Sequence, residues 1–192
     1  MQQDRWLERW VETIRRQAPE PAILELGCGP GEDTAFLAAK GFARITATDL
    51  SAQALAPCAR RAPGARQVCH DLCEPLPFRD GGFDAALASL CLHYFEWDQT
   101  EAILREVRRC MKPGGLLLCR LNSTQDVHYG AAGHPEIAHH YYDVDGSPKR
   151  FFDGAEIDAL VAGGWERLGK EEMTIARYEK PKVVWEVVAR KV

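Results

Sequence analysis

Phe83 to Leu92 reads FDAALASLCL, an almost uninterrupted apolar run of strand length. A strand that is apolar on both faces has to be covered on both, which is the habit of parallel sheets flanked by helices. The rest of the chain supplies the covering. Ala22 to Leu26 reads as an apolar strand, Glu32 to Lys40 as a helix closed by Gly41, Arg44 to Leu50 as a strand, and Ser51 to Arg61 as a helix with Ser51 as N-cap. Ala65 to Leu72 reads as a third strand, Gln99 to Met111 as a helix, and Leu116 to Leu121 as a strand after the turn Lys112-Pro113-Gly114-Gly115. Alternating strands and helices with right-handed crossovers predict an α/β fold, a doubly wound and mostly parallel sheet. Ligands of such a sheet lie beyond the carboxyl ends of its strands.

The chain has 192 residues, 46% of them hydrophobic, which suits one buried core and a single domain over 1–192. Trp6, Trp10, Val11 and Ile14 recur at helical spacing, so residues 4–17 are expected to form an amphipathic helix ending before Pro19 and Pro21. Residues 122–150 break the rhythm: they are polar, aromatic and glycine-containing, with at most a short helix near Pro135 to His140, and read as a lid or insertion. Asp153 to Ala162 resumes as a helix, and Glu171 to Tyr178 with Val183 to Ala189 predicts a terminal antiparallel hairpin.

A formal charge of -4 argues against a broad nucleic-acid surface, and the pairs Arg15-Arg16, Arg60-Arg61 and Arg108-Arg109 read as solvated helix faces. Seven cysteines without paired C-x-x-C spacing suggest reduced thiols. No run approaches the roughly 18 apolar residues of a membrane span, and the N-terminus lacks a signal-like apolar region. The expectation is a cytoplasmic protein with a small-molecule partner, no nucleic acid and no membrane. No oligomeric state is read from the sequence.

Between the first strand and the first crossover helix lies Gly27-Cys28-Gly29-Pro30-Gly31. Such a turn brings backbone close to a ligand and opens into a helix whose first N–H groups are free. Asp49 follows Gly27 by 22 positions, at the end of the next strand, where a carboxylate can accept from both hydroxyls of a ribose. A nicotinamide dinucleotide could use the same layout. Glu25, Glu32 and Asp33, however, surround the place where its pyrophosphate would rest, and they suit a ligand carrying a sulfonium and an amine better. Glu32 and Asp33 also complement the helix dipole.

Taken in order, ILELGCGPG, TATDLS, CHDLCEPLPF, FDAALASLCLHYF and LREVRRCMKPGGLLL make the chain resemble the class I S-adenosylmethionine-dependent methyltransferases, in particular their small-molecule branch, over about residues 20–122. The resemblance implies a seven-stranded sheet whose last strand is antiparallel. It implies that the backbone from Glu25 through Gly27, Cys28, Gly29 and Gly31 cradles the methionine part of S-adenosylmethionine, and that Asp49 binds the ribose. Leu50 would pack on the adenine, Asp71 would receive its amino group, the Leu72 N–H would face a ring nitrogen, and Ser89 would lie near the methionine amine. Lys112 to Gly115 resembles a structural turn.

A methyl already activated by a sulfonium asks mainly for alignment and exclusion of water. A general base matters only where the acceptor must lose a proton. His93 and Tyr94, following the fourth strand, are the candidate bases. His128, Tyr129, Tyr141, Tyr142 and Arg150 in the insertion, with Arg177 and Tyr178 at the hairpin turn, are candidates to line an acceptor pocket. No metal is expected from His134, His139 and His140, since adjacent histidines on a polar segment rarely converge. Cys28 among acids reads as packing, not as a nucleophile. Ser89-Leu90-Cys91-Leu92 lacks the Asn/Asp-Pro-Pro-aromatic signature of amino-methylating DNA enzymes. The other classes to weigh are a nicotinamide-dependent oxidoreductase and a non-catalytic cofactor-binding protein or partner subunit.

Overall fold

Ala22 to Leu26 is buried at every position, and this strand, β1, is an interior strand of the main sheet. The computed structural model describes residues 6–176 and 178–192. A 3-10 turn, Trp6–Trp10, runs into α1 (Val11–Arg15), and β1 follows. Then come α2 (Glu32–Ala39), β2 (Arg44–Asp49), α3 (Ala52–Arg61), β3 (Arg66–Cys69) and β4 (Phe83–Ser89). After α4 (Trp97–Cys110) and β5 (Met111–Asn122), three short strands, β6 (Glu136–Ala138), β7 (Tyr141–Val144) and β8 (Ser147–Arg150), make a separate antiparallel sheet. The chain ends with α5 (Gly154–Leu160), β9 (Trp165–Ile175) and β10 (Lys182–Lys191).

The main sheet has seven strands in the order β3-β2-β1-β4-β5-β10-β9. The pairs among β1 to β5 are parallel, and β10 runs antiparallel to both β5 and β9. The expected doubly wound sheet with a terminal hairpin is the observed one.

Alternation along each strand divides the core in two. Leu24, Leu26, Ala86, Ala88, Leu117 and Cys119 face α4 and α5, meeting Ile103, Leu104, Val107 and Ile157. Ile23, Ala85, Leu87, Leu116 and Leu118 face the other way, toward Leu7, Val11, Ile14 and Leu37. The alanines of β4 keep its surface low, so helices approach closely on both sides. At the amino end of β4, the buried Asp84 carboxylate accepts from the Ala22 N–H at 2.9 Å and from Lys112 Nζ at 2.7 Å, which pins β1 beside β4 and gives Lys112 a structural task.

Several expected boundaries move. The amphipathic N-terminal segment is a 3-10 turn followed by a short α-helix; residues 4 and 5 of the expected helix lie outside the described residues. Trp6, Trp10 and Arg9 spend their polar atoms on distant carboxylates, Trp6 Nε1 on Asp33 at 3.0 Å and Trp10 Nε1 on Glu186 at 2.8 Å. β3 stops at Cys69, because the Asp71 carboxylate turns the chain by accepting from the Cys73 N–H at 2.9 Å. β4 stops at Ser89, because Leu90 takes φ 54°. β5 begins at Met111, the Lys112–Gly115 turn being absorbed as an irregularity in its pairing with β4. The short helix expected near Pro135 to His140 is instead β6 and a turn: β6 pairs with β7, and His140 at φ 54° reverses the chain. A segment this short cannot hold a helix by itself, and tertiary pairing decides it.

Leu87 is fully buried at the centre of β4. Leu87→Ala is expected to cost about 2–5 kcal/mol of unfolding free energy in urea denaturation.

Candidate active site

β1, β2 and β4 deliver their carboxyl ends to one place, where the turn after β1 lies. Gly27 and Gly31 have φ 56° and 80°, and neither has room for a side chain. A Cβ on Gly27 would stand 2.4 Å from Cys91 Cβ, and one on Gly31 would stand 2.8 Å from Cys58 Cα. Gly29, by contrast, has open space where its side chain would be, on the cleft side of the turn. The turn is fastened to β2: the Cys28 N–H donates to the Thr48 carbonyl at 2.9 Å, and the Gly29 N–H donates to Asp49 Oδ2 at 2.8 Å. Asp49 Oδ1 accepts from the Ser51 N–H at 2.9 Å.

The cleft over this turn has two lobes. The larger, about 500 Å³, is bounded by Asp49, Leu50, Asp71 and Leu72 on one side and by Tyr94 and Phe95 on the other. The smaller, about 140 Å³, is edged by Glu25, Cys28, Glu32, Asp33, Ser89 and Tyr178. Gly27, Gly29 and Leu90 line both lobes and join them. Leu50 leaves 68% of its surface open beside the larger lobe.

Glu25 dominates the electrostatics. Its carboxylate is buried beneath the turn, with the Thr34 hydroxyl donating to Oε2. Burial first, and then the neighbouring charge of Asp33, pushes its pKa from an ordinary 4.5 up to about 8, against the lowering effect of the Thr34 hydrogen bond. Burial, followed by the charge of Glu25, also pushes the Cys28 thiol far up, so Cys28 stays protonated and is no nucleophile.

The sequence-derived cofactor residues Glu25, Gly27, Cys28, Gly29, Asp49, Leu50, Asp71, Leu72 and Ser89 all line this cleft. Gly31 lies behind it, against Cys58. The two candidate bases separate. Tyr94 faces the larger lobe with 52% of its surface exposed, and burial of the remainder raises its pKa. His93 is buried, its Nδ1 without a hydrogen-bond partner, and burial together with the charges of Lys182 and Lys149 lowers its pKa to about 3.

Among the candidate acceptor residues, Tyr178 rims the smaller lobe, and the Tyr129 ring stands 5.6 Å from it. The Tyr129 hydroxyl donates to the Lys180 carbonyl at 3.1 Å and accepts from the Lys180 N–H at 3.0 Å. His128 is exposed on the neighbouring 3-10 turn, Val127–Tyr129. Tyr142 leans toward Phe151, ring centroids 6.0 Å apart. Arg150 is buried against the Trp97 and Tyr141 rings, outside both lobes. Arg177 lies outside the described residues. The donor atoms of His139, His140 and Glu156 come within 4.8 Å of one another, but Arg150 Nη1, 3.9 Å from Glu156 Oε1, already brings a cation to that carboxylate.

Sequence reasoning missed Leu90, Phe95 and Thr34. Leu90 has a left-handed backbone with no glycine or asparagine to announce it. Thr34 had one usable signal, since a buried carboxylate such as Glu25 demands a donor.

Residues 23–115 match the family of the methyltransferase domain. A methyltransferase of Synechocystis, itself uncharacterised, is 37% identical over 99 residues, covering 52% of this chain and 46% of that protein. Over this stretch the chain is similar to methyltransferases. A methyltransferase of Methanosarcina mazei shares the fold with a TM-score of 0.77 at 20% identity, covering 94% of this chain and 97% of the other. The 1,6-didemethyltoxoflavin N1-methyltransferase of Burkholderia thailandensis, solved with its acceptor and S-adenosylhomocysteine, has a TM-score of 0.71 at 22% identity, covering 98% and 81%. The chain spans about half the length of the first curated relatives it matches, 46%, 53% and 54%.

The raised Glu25 pKa has a definite sign. Between an unfolded pKa of 4.5 and a folded one of about 8, the folded chain holds a proton that the unfolded chain has lost. This group's contribution to stability is fully present below 4.5 and declines through that window as pH rises, by about 1.4 kcal/mol per unit, levelling above 8. Glu25→Gln should remove that part of the decline, seen in urea denaturation of the cofactor-free protein at pH 5.5 and 8.5.

Proposed function

We propose that this chain transfers the methyl group of S-adenosylmethionine to a small-molecule acceptor. The observation that carries the reading is the pair of lobes joined over the glycine turn, one edged by Glu25, Glu32 and Asp33 and the other by Asp49, Leu50, Asp71 and Leu72. A nicotinamide dinucleotide would press its pyrophosphate toward the three acids of the smaller lobe. A ligand with an amine and a sulfonium, and no phosphate, is attracted there. The open space at Gly29 lets such a ligand lie against backbone.

S-adenosylmethionine supplies a methyl carbon already made electrophilic by its sulfonium. The chain's part is to bind, orient and exclude water. Glu25 and the end of β4 at Ser89 hold the amino-acid end. Asp49 takes the ribose hydroxyls, the open face of Leu50 takes the adenine, and Asp71 with the Leu72 N–H takes the edge of that ring. A bound ammonium favours ionised Glu25, so cofactor affinity should rise with pH toward about 8.

His93 and Tyr94 are poorly suited to remove a proton. A buried imidazole with a pKa of about 3 has little basicity at neutral pH, and a phenol whose pKa is raised keeps its proton. The reading therefore favours an acceptor that presents an anion or a free amine. Tyr178 and Tyr129 would border that acceptor, with residues 122–150 as a cover. The small heterocyclic acceptor named for the Burkholderia enzyme supports a pocket of this kind.

In thermal denaturation, S-adenosylhomocysteine at one hundred times its Kd should stabilise the protein by about 2.7 kcal/mol, with no effect from NAD or NADP. Stabilisation by NAD or NADP instead, or by none of the three, sinks the reading. Calorimetric titration should show Asp49→Ala weakening S-adenosylhomocysteine by about 1.5–3 kcal/mol, as charge-assisted hydrogen bonds are lost. Unchanged affinity removes Asp49 from the ribose.

A further inference from the structure

We infer that Tyr141 and Arg150, on the small β6–β8 sheet, are positioning residues for the cofactor cleft and act through the backbone carbonyls of Tyr94 and Phe95. The inference rests on the reading that the larger lobe holds the adenosyl group. Tyr94 and Phe95 form the wall of that lobe opposite Leu50 and Leu72. They follow β4 in a three-residue 3-10 turn that ends in extended backbone at Phe95, so local helical bonds do little to fix their carbonyls.

Two side chains from the small sheet reach those carbonyls. Tyr141 Oη donates to the Tyr94 carbonyl at 3.2 Å, and Arg150 Nε donates to the Phe95 carbonyl at 3.3 Å. Arg150 Nη1 also donates to the His139 carbonyl at 3.1 Å, and its guanidinium lies on the Tyr141 ring at 5.2 Å and the Trp97 ring at 5.8 Å. Tyr141 and Arg150 are directly opposed on β7 and β8, and both are buried.

These donors are themselves anchored. Phe151 and Phe152, immediately after Arg150, are fully buried, and the Phe152 N–H donates to the Asn122 carbonyl at the end of β5 at 2.8 Å. A connected path thus runs from the core through Arg150 to the Phe95 carbonyl and the cleft wall. Half of the Tyr94 surface is open, so its placement leans on the carbonyl grip and on the His93 ring at 4.1 Å. Releasing the Tyr94 carbonyl frees the 94–95 peptide, which joins the two rings, whereas the Phe95 carbonyl, in the 95–96 peptide, keeps a second contact from Thr100 Oγ1 at 3.5 Å when Arg150 is lost.

Tyr141→Phe removes only the donating hydroxyl. Titration calorimetry with S-adenosylhomocysteine, and separately with adenosine, is expected to show both ligands weakened about five- to tenfold, the range for one lost buried hydrogen bond. The ligand-free melting temperature should stay within about 2 °C of wild type. Arg150→Met should weaken both ligands similarly, and Arg150→Lys, which keeps a donor and the charge, should recover part of the loss. Wild-type affinity in Tyr141→Phe, with or without a lower melting temperature, overturns the proposal while leaving the methyl-donor reading intact. Failure of the wild-type chain to bind either ligand overturns the lobe assignment and the proposal with it.

Discussion

Asp49 holds the site together. One of its oxygens takes the Gly29 N–H of the turn after β1 and the other takes the Ser51 N–H at the entry to α3, so the end of β2 restrains two loops with one carboxylate. Held this way, the turn passes close above Glu25, and Gly27 and Gly31 sit where no side chain would fit. Burial of the carboxylate away from water, and after it the charges of Asp33 and Asp49, raise the Glu25 pKa. Local geometry and local charge have one origin, a β-strand end that reaches across to its neighbour's turn.

The opposite wall has a different construction. Leu90 leaves the β4 ladder in a left-handed conformation after its N–H donates to the Arg120 carbonyl at 2.8 Å, and Cys91, Tyr94 and Phe95 beyond it line the larger lobe. That stretch holds only a three-residue 3-10 turn, Leu92–Tyr94, before α4 begins. Its support comes from behind, from the small sheet through Tyr141 and Arg150, much as Trp6 supports the acidic lobe by donating to Asp33 at 3.0 Å. Segments outside the strand and helix alternation thus reach the residues that line the cleft.

Legibility in the sequence followed the distance over which each decision is made. The cofactor side was readable, because a strand, a glycine turn, a helix and a carboxylate at the next strand end are each specified by adjacent residues, and their placement in space follows from the parallel crossover. Residues 136–138 were not readable, because a three-residue strand has no period and takes its conformation from β7. Arg150 read as a ligand for an acceptor, yet it turns inward to Trp97 and Tyr141, a destination set by rings 53 and 9 positions away. His93 and Tyr94 are neighbours in sequence with opposite environments, one sealed and neutral, the other open to the cleft.

By itself the sequence determined the doubly wound sheet, the glycine turn after β1 and the carboxylates around it, since periodicity, glycine geometry and charge spacing act over a few residues. Only the tertiary structure decided the ionisation of Glu25, the split between His93 and Tyr94, and the grip of the small sheet on the cleft wall. Each of those depends on burial and on contacts between residues far apart in the chain, and desolvation has no signature in the order of amino acids.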